Sequence, residues 1–405
     1  MTMPSRTIDF SIDFETFSQD PYPLYTQIRE SGQPYYLTHS SSTTSPGVWL
    51  FSRYEDAFLI FKEASKASKN IQRIREKGFS SAFDHNLLFT DGEKHLHLRR
   101  LVANYFNVDA IQRLEPFISE TTERLIADFQ GRSTVDLIRD FAEPLPLLVI
   151  AHLMGIPKTD IQQIRLWSRD LGDGFDSFSL TPERIKQQHI ALTEFISYIR
   201  DLLNERHQRP ASDDLIASLS MACTRGELDP DACIGMIGFL LFAGHETTIN
   251  LIGNGLWLLL SHPSSWDALK RHPEGIPSAI EEILRFESPE QRTSFRIALE
   301  PIDVGGYRLE PGDQFGAIIG AANRDPSIFD HPEIFDIRRQ PNRHLAFGLG
   351  VHLCLGKLMA RTEASIALDR LLNMGRNIEL KDATAHWRHN SFFRGLAKLP
   401  VLLHG

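Results

Sequence analysis

Cys354 lies in the run Phe347-Gly-Leu-Gly-Val-His-Leu-Cys-Leu-Gly356, with two glycines before it and one after. A thiolate becomes a metal ligand only where a metal, a helix N-terminus or nearby cations lower its pKa. The apolar residues of the stretch from Leu355 to Met374 repeat with helical spacing, which predicts a helix start beside the sulfur. Flanking glycines let backbone N–H groups approach the sulfur without Cβ interference. Such a setting suits a soft axial ligand to a haem iron. For Gly-x-His-x-Cys alone, a buried structural cysteine in a glycine-rich turn is the simpler reading. Zinc held by His352 and Cys354 is a further reading, but no second Cys/His pair at suitable spacing completes a zinc set.

A second reactive stretch is Ala243-Gly-His-Glu-Thr-Thr248, in the middle of an apolar run from Pro230 to His262. Proline at its start and Pro263 after it delimit a helix of about 30 residues, about 45 Å long. It is apolar nearly all round, so it should run through the core. A carboxylate and two hydroxyls buried there are costly unless paired or used. Thr247 can bond back to the preceding turn and open it, leaving a groove for a small ligand. An internally satisfied polar kink is the alternative.

Other spacings carry weaker signals. His95 and Arg99 stand four apart on one face of a helix starting near Asp91. Glu282 and Arg285 form an i,i+3 pair on a helix whose apolar positions suggest packing, with Arg339 further on. Taken alone, each reads as surface decoration.

The elements that must position these residues are mostly helical. A helix follows Asp20-Pro21 through Arg29, and short strands cover Pro34 to Leu37 and Gly47 to Ser52. Lys62 to Asn86 reads as a solvated loop with a short helix, and Ile111 to Arg209 as amphipathic helix. Pro144 to Met154 is buried helix, and Gly172 to Pro182 breaks the pattern. Ser212 or Asp213 caps the next helix. Asp303-Val-Gly-Gly-Tyr307 predicts a hairpin turn. The chain has 405 residues, 42% hydrophobic and 23% charged, as expected for a globular fold with a sizeable core. Its net charge of -9 disfavours nucleic acid as a partner. Three cysteines (Cys223, Cys233 and Cys354) make no disulfide framework and point to a reducing cytoplasm. The N-terminal residues do not read as a signal peptide or a membrane span, so a soluble protein is expected.

The full pattern Phe-x-x-Gly-x-His-x-Cys-x-Gly, with Ala-Gly-x-Glu-Thr and Glu-x-x-Arg before it, resembles the cytochrome P-450 family. The resemblance implies one domain over residues 1–405, mainly α with small β-sheets. A long central helix would lie over the haem and the cysteine loop beneath it. It implies haem b held non-covalently, with Cys354 on the iron and Phe347, Gly348, His352, Gly356 and Ala243 around the cofactor. His95, Arg99, Arg296 and His344 match positions that meet the haem propionates. Glu246 becomes the acid of a proton relay and Thr247 the alcohol that steadies dioxygen. Phe239, Phe242 and Ala243 would face the substrate pocket, with Phe392 and Phe393 on a loop dipping towards it. Glu282, Arg285 and Arg339 would form a buried triad fixing the cysteine loop. Arg292 falls where the family often has an apolar pocket residue; it either reads a substrate anion or swings out to solvent. The implied reaction is mono-oxygenation of an apolar small molecule by a cytoplasmic monomer. Electrons would come from a ferredoxin and its NAD(P)H-dependent reductase, drawn by Arg100, Lys357 and Arg361. A peroxide-driven peroxygenase, a nitric-oxide reductase and a non-catalytic haem sensor are the alternatives.

Overall fold

Asp229 opens the longest helix, Pro230–Ser261, its carboxylate accepting from the backbone N–H groups of Asp231 (2.9 Å) and Ala232 (3.4 Å). Proline at the first turn costs nothing there, because its missing N–H would have no helical partner. The helix ends just before His262 and Pro263, as the sequence predicts. In the computed structural model, which describes residues 14–37, 47–63, 65–70, 82–173, 181–208 and 214–404, its 32 residues span about 48 Å.

Among the described residues it is the one helix apolar and long enough to cross a membrane, but 78% of its apolar window is buried inside the fold. Helices Pro144–Met154, Ile276–Phe286 and Lys357–Leu372 pack around it, as does the turn Ala82–Asp84. That turn sets one residue type: a Cβ on Gly235 would lie 2.5 Å from the Ala82 carbonyl oxygen. Large apolar side chains from these helices form the principal core.

A five-stranded sheet stands beside the helices, ordered Tyr35–Leu37, Val48–Phe51, Gln314–Ala317, Arg296–Ala298, Ala67–Ser68. Only the pairing of Val48–Phe51 with Gln314–Ala317 is parallel. The edge pairing sets Ala67 opposite Ala298 and Ser68 opposite Ile297, which brings residues about 230 positions apart together. Gly305 and Gly306, at φ 57° and 78°, make the two-residue turn of the hairpin Ile302–Val304/Tyr307–Leu309.

Local differences from the sequence reading have simple causes. The helix after residue 213 is capped by Asp214, which accepts from Ala217 N–H at 2.8 Å; Ser212 and Asp213 lie outside the described residues. The helix Ile161–Asp173 runs through Gly172, and the break expected beyond it falls on residues 174–180, also outside them. The segment read as a solvated loop from Lys62 contains the strand Ala67–Ser68, followed by a buried Lys69.

Candidate active site

The long helix, the cysteine loop, helix Gly92–Val102 and the loop after helix Ile276–Phe286 enclose a cavity. Its empty space is about 1330 Å³, counting the part open to solvent. Cys354, Gly356, Phe347, Gly348 and His352 line it, as do Phe239, Ala243, Thr247, His95 and Arg99.

The loop that delivers Cys354 is held by its own backbone and by close approach to helix Tyr54–Lys62. Cys354 N–H donates to the Phe347 carbonyl at 3.0 Å. Gly348 and Gly350 have φ of 65° and 71°, the left-handed region that penalises a Cβ. A Cβ on Gly348 would also stand 3.0 Å from the Phe61 ring. The cysteine helix begins at Lys357, so the sulfur lies three residues before its first turn. Burial pushes the thiol up to about 11, with Glu290 adding to the rise; the Gly356 N–H and the cations Arg99 and Arg361 offset it only in part. The helix start and the cations thus favour the thiolate, and a bound metal cation would favour it further.

One flank of the cavity is crowded with charge. Both ring nitrogens of His95 face carbonyl oxygens, Leu87 at 2.9 Å and Val351 at 3.0 Å. Arg99 donates to Leu353 O at 2.8 Å, tying its helix to the cysteine loop. Burial, above all, pushes His352 down to about 3, so it is neutral at pH 7. Asp91 accepts from Ser68 Oγ at 2.6 Å and from the Lys69 N–H at 3.1 Å. Arg296 is 2% exposed, and its Nε has no hydrogen-bond partner. An arginine nitrogen buried without an acceptor is expensive. It fits an anionic partner.

On the long helix, which stays α-helical throughout, Thr247 Oγ1 donates back to Ala243 O at 2.8 Å, the back-bond its sequence predicts. Glu246 is 2% exposed, does not line the cavity, and pairs with the Arg388 guanidinium. Sequence reasoning missed Arg388, which stands 142 positions away with no local signal. His245 is buried between Ser168 Oγ (2.8 Å) and Glu143 O (3.3 Å) and takes no part in the cavity wall.

Glu282, Arg285 and Arg339 meet in the interior. Arg285 forks onto Glu282 with two 2.8 Å contacts, and Arg339 Nε reaches the same carboxylate at 3.2 Å. Glu282 also accepts from Asp336 N–H at 2.9 Å and Asn342 Nδ2 at 3.1 Å. Arg285 donates onward to the carbonyls of Asn323, Pro332 and Ile334, so the triad clamps the segment leading to the cysteine loop.

Several expected pocket residues lie elsewhere. His344 does not line the cavity; its Nε2 is 3.1 Å from Glu281 Oε2. Arg361 also grips Glu281, at 2.6 and 2.8 Å, and lies over the Phe347 ring, so it is tied to its neighbours though partly exposed. Arg292 reaches neither the cavity wall nor solvent. It is 4% exposed, with its guanidinium 4.7 Å from the Phe295 ring and 4.8 Å from Phe392. Phe392 and Phe393 are buried and do not line the cavity; Phe393 packs edge-on against Phe242, which is likewise behind the wall. The charged side chains that do line the wall and that the sequence did not single out are Lys69 and Glu290.

The cavity therefore pairs the Cys354 thiol with the cations Lys69 and Arg99 on one flank and the back-bonded Ala243–Thr247 turn on another. Those donors fit a flat, dicarboxylic metal macrocycle such as haem. Comparison with known proteins agrees. The family model described as "Cytochrome P450" matches residues 276–381. The chain is 35% identical over 398 residues to the "Biotin biosynthesis cytochrome P450" of Bacillus subtilis (strain 168), covering 98% of this chain and 99% of that protein. It is 34% identical to the "Cytochrome P450 monooxygenase PikC" of Streptomyces venezuelae, covering 99% and 95%. Among solved structures, the myxobacterial cytochrome P450 CYP267B1 in complex with myristic acid superposes with a TM-score of 0.89 at 35% identity, covering 96% of this chain and 98% of that one.

Proposed function

The chain belongs to the cytochrome P450 family, a haem b monooxygenase acting on an organic substrate with dioxygen and redox partners, and on that premise we propose how its residues divide the work. Cys354 is the iron ligand. The observation that carries this reading is that its sulfur shares one cavity with the helical turn Ala243–Thr247, where the Thr247 hydroxyl bonds back to Ala243 O. When bound, the haem supplies dioxygen activation and electron storage, while the chain supplies position, protons and exclusion of water.

Thr247 is held by its bond to Ala243 O, which fixes its hydroxyl oxygen as an acceptor at the cavity wall. Glu246 passes protons inward. Its Oε1 is engaged by Arg388, whose side chain is 21% exposed, so a proton taken up at the solvent side reaches Glu246 when that contact opens. Phe239 and Ala243 are the apolar walls that seat the substrate. Triad residues Glu282, Arg285 and Arg339 act at a distance, by holding the chain ahead of the cysteine loop. The substrate is an apolar small molecule and the electrons come from a separate ferredoxin and its NAD(P)H-dependent reductase. Of the proximal cations only Arg100 is exposed, Lys357 is half-buried and Arg361 is tied to Glu281, so Arg100 and Lys357 carry the docking. The same reading has the protein working as a soluble cytoplasmic monomer.

The test is the absorption spectrum of the reduced protein under carbon monoxide. A strongly red-shifted Soret band in the wild type, absent in Cys354→Ala, supports the ligand. A band at the position of histidine-ligated haem in the wild type refutes it. Turnover of an added fatty acid with ferredoxin, reductase and NADPH, against hydrogen peroxide alone, then separates the monooxygenase from a peroxygenase. Full-rate turnover with peroxide alone refutes the ferredoxin route.

A further inference from the structure

We propose that Lys69, acting beside Arg296, is a carboxylate-holding residue of the cavity. It rests on the reading that the cavity takes haem, and it concerns which side chains grip the acid group there. Ser68 pairs with Ile297 at the sheet edge; Lys69 and Arg296 are the next residues along the two chains, and Arg296 acts on Lys69 as a nearby like charge. Neighbouring like charges repel each other. Here both are buried, Lys69 at 7% exposure and Arg296 at 2%, so water screens them poorly.

The neighbouring acids do not neutralise this pair. Asp91 is committed to Ser68 Oγ and to the backbone N–H of Lys69, and no carboxylate among the described residues lies within 4.0 Å of the Lys69 ammonium. Glu290 shares the cavity wall, but burial holds it at about 7, so it offsets only part of the charge. Burial, with Arg296 next in effect, pulls Lys69 down to about 7 as well, the mark of an ammonium lacking its counter-ion. Arg296 Nε has no acceptor. A cation on the cavity wall with no carboxylate partner, and near it a buried arginine whose Nε lacks an acceptor, form a site for a carboxylate. That group comes either from a haem propionate or from an acidic substrate.

Lys69→Met and Lys69→Arg in the holoprotein distinguish the two sources. Haem release is timed by transfer to an acceptor apoglobin, and myristate and its methyl ester are titrated by their spin-state shifts. A charge-assisted contact predicts roughly ten- to hundredfold faster haem release in Lys69→Met and near wild-type release in Lys69→Arg. That result assigns the propionate. Unchanged release, with loss of the preference for myristate over its ester, assigns the substrate. If Lys69→Met changes neither, the proposal is overturned. It is also overturned if Glu290→Gln reproduces the Lys69→Met effect, because Lys69 would then serve only as Glu290's partner. Far-UV circular dichroism confirms that each variant is folded. A displaced carbon monoxide band in the wild type would count against Cys354 ligation and not against Lys69, which is judged on the release and titration comparisons.

Discussion

Removing Glu282 tests the clamp on the cysteine loop. Its carboxylate accepts from Arg285, Arg339, Asp336 N–H and Asn342, and both it and Arg285 are fully buried. Glu282→Ala leaves the Arg285 charge in the interior with only carbonyl acceptors. Breaking a buried pair from one side costs about 3–5 kcal/mol, because the remaining charge stays desolvated. Over 405 residues, with about 2.1 cal/mol/K of unfolding entropy per residue, that is a Tm loss of about 4–6 °C. Glu282→Gln keeps the shape and part of the hydrogen bonding, so it should lose less than Ala. Differential scanning calorimetry of the holoprotein gives the Tm, and haem content after size exclusion reports the loop. Because the clamped segment leads to Cys354, haem loss should track the Tm order. A Tm change below about 1 °C for Ala would refute the argument, since the pair would then contribute no more than an exposed one.

Three further outcomes follow from the same reasoning. Glu281 is held at about 2: burial works against this, but Arg361 and His344 outweigh it. Its folded pKa is depressed, so its stabilisation is present above pH ~4.5 and lost as pH falls towards 2; Glu281→Gln should flatten the acid limb of a urea-denaturation series by about 2–3 kcal/mol after allowance for solvent screening. Glu363 is fully buried without a protein hydrogen bond among the described residues, and burial raises its carboxyl well above the usual range. A raised folded pKa gives stability that is complete at acid pH and lost as pH rises, so Glu363→Gln should be the more stable protein at neutral pH, and equal urea midpoints at pH 5 and 8 in the wild type would sink the idea. Gly348→Ala meets both a positive φ and the Phe61 ring, and should cost about 1–3 kcal/mol with faster haem loss; unchanged calorimetry would show that the loop can relax.

What the sequence alone determined is the local framework. The long helix follows from proline punctuation and all-round apolarity, the Gly305-Gly306 hairpin from the need for positive φ, and Thr247's back-bond from its buried helical position. The cysteine motif was legible because its glycines and sulfur are neighbours in the chain. Contacts across long sequence separations were decided only in the tertiary structure. Glu246 finds Arg388 on a distant loop, Arg292 is captured between two phenylalanine rings, and His344 turns to Glu281. Lys69 read as loop polarity until a short edge strand carried it to the cavity wall. Periodicity and spacing report which face of an element is apolar, but a charged side chain's partner depends on which other element packs against it. For buried charges the cost of lacking a partner is large, so that packing, rather than the residue's own type, sets what each one does.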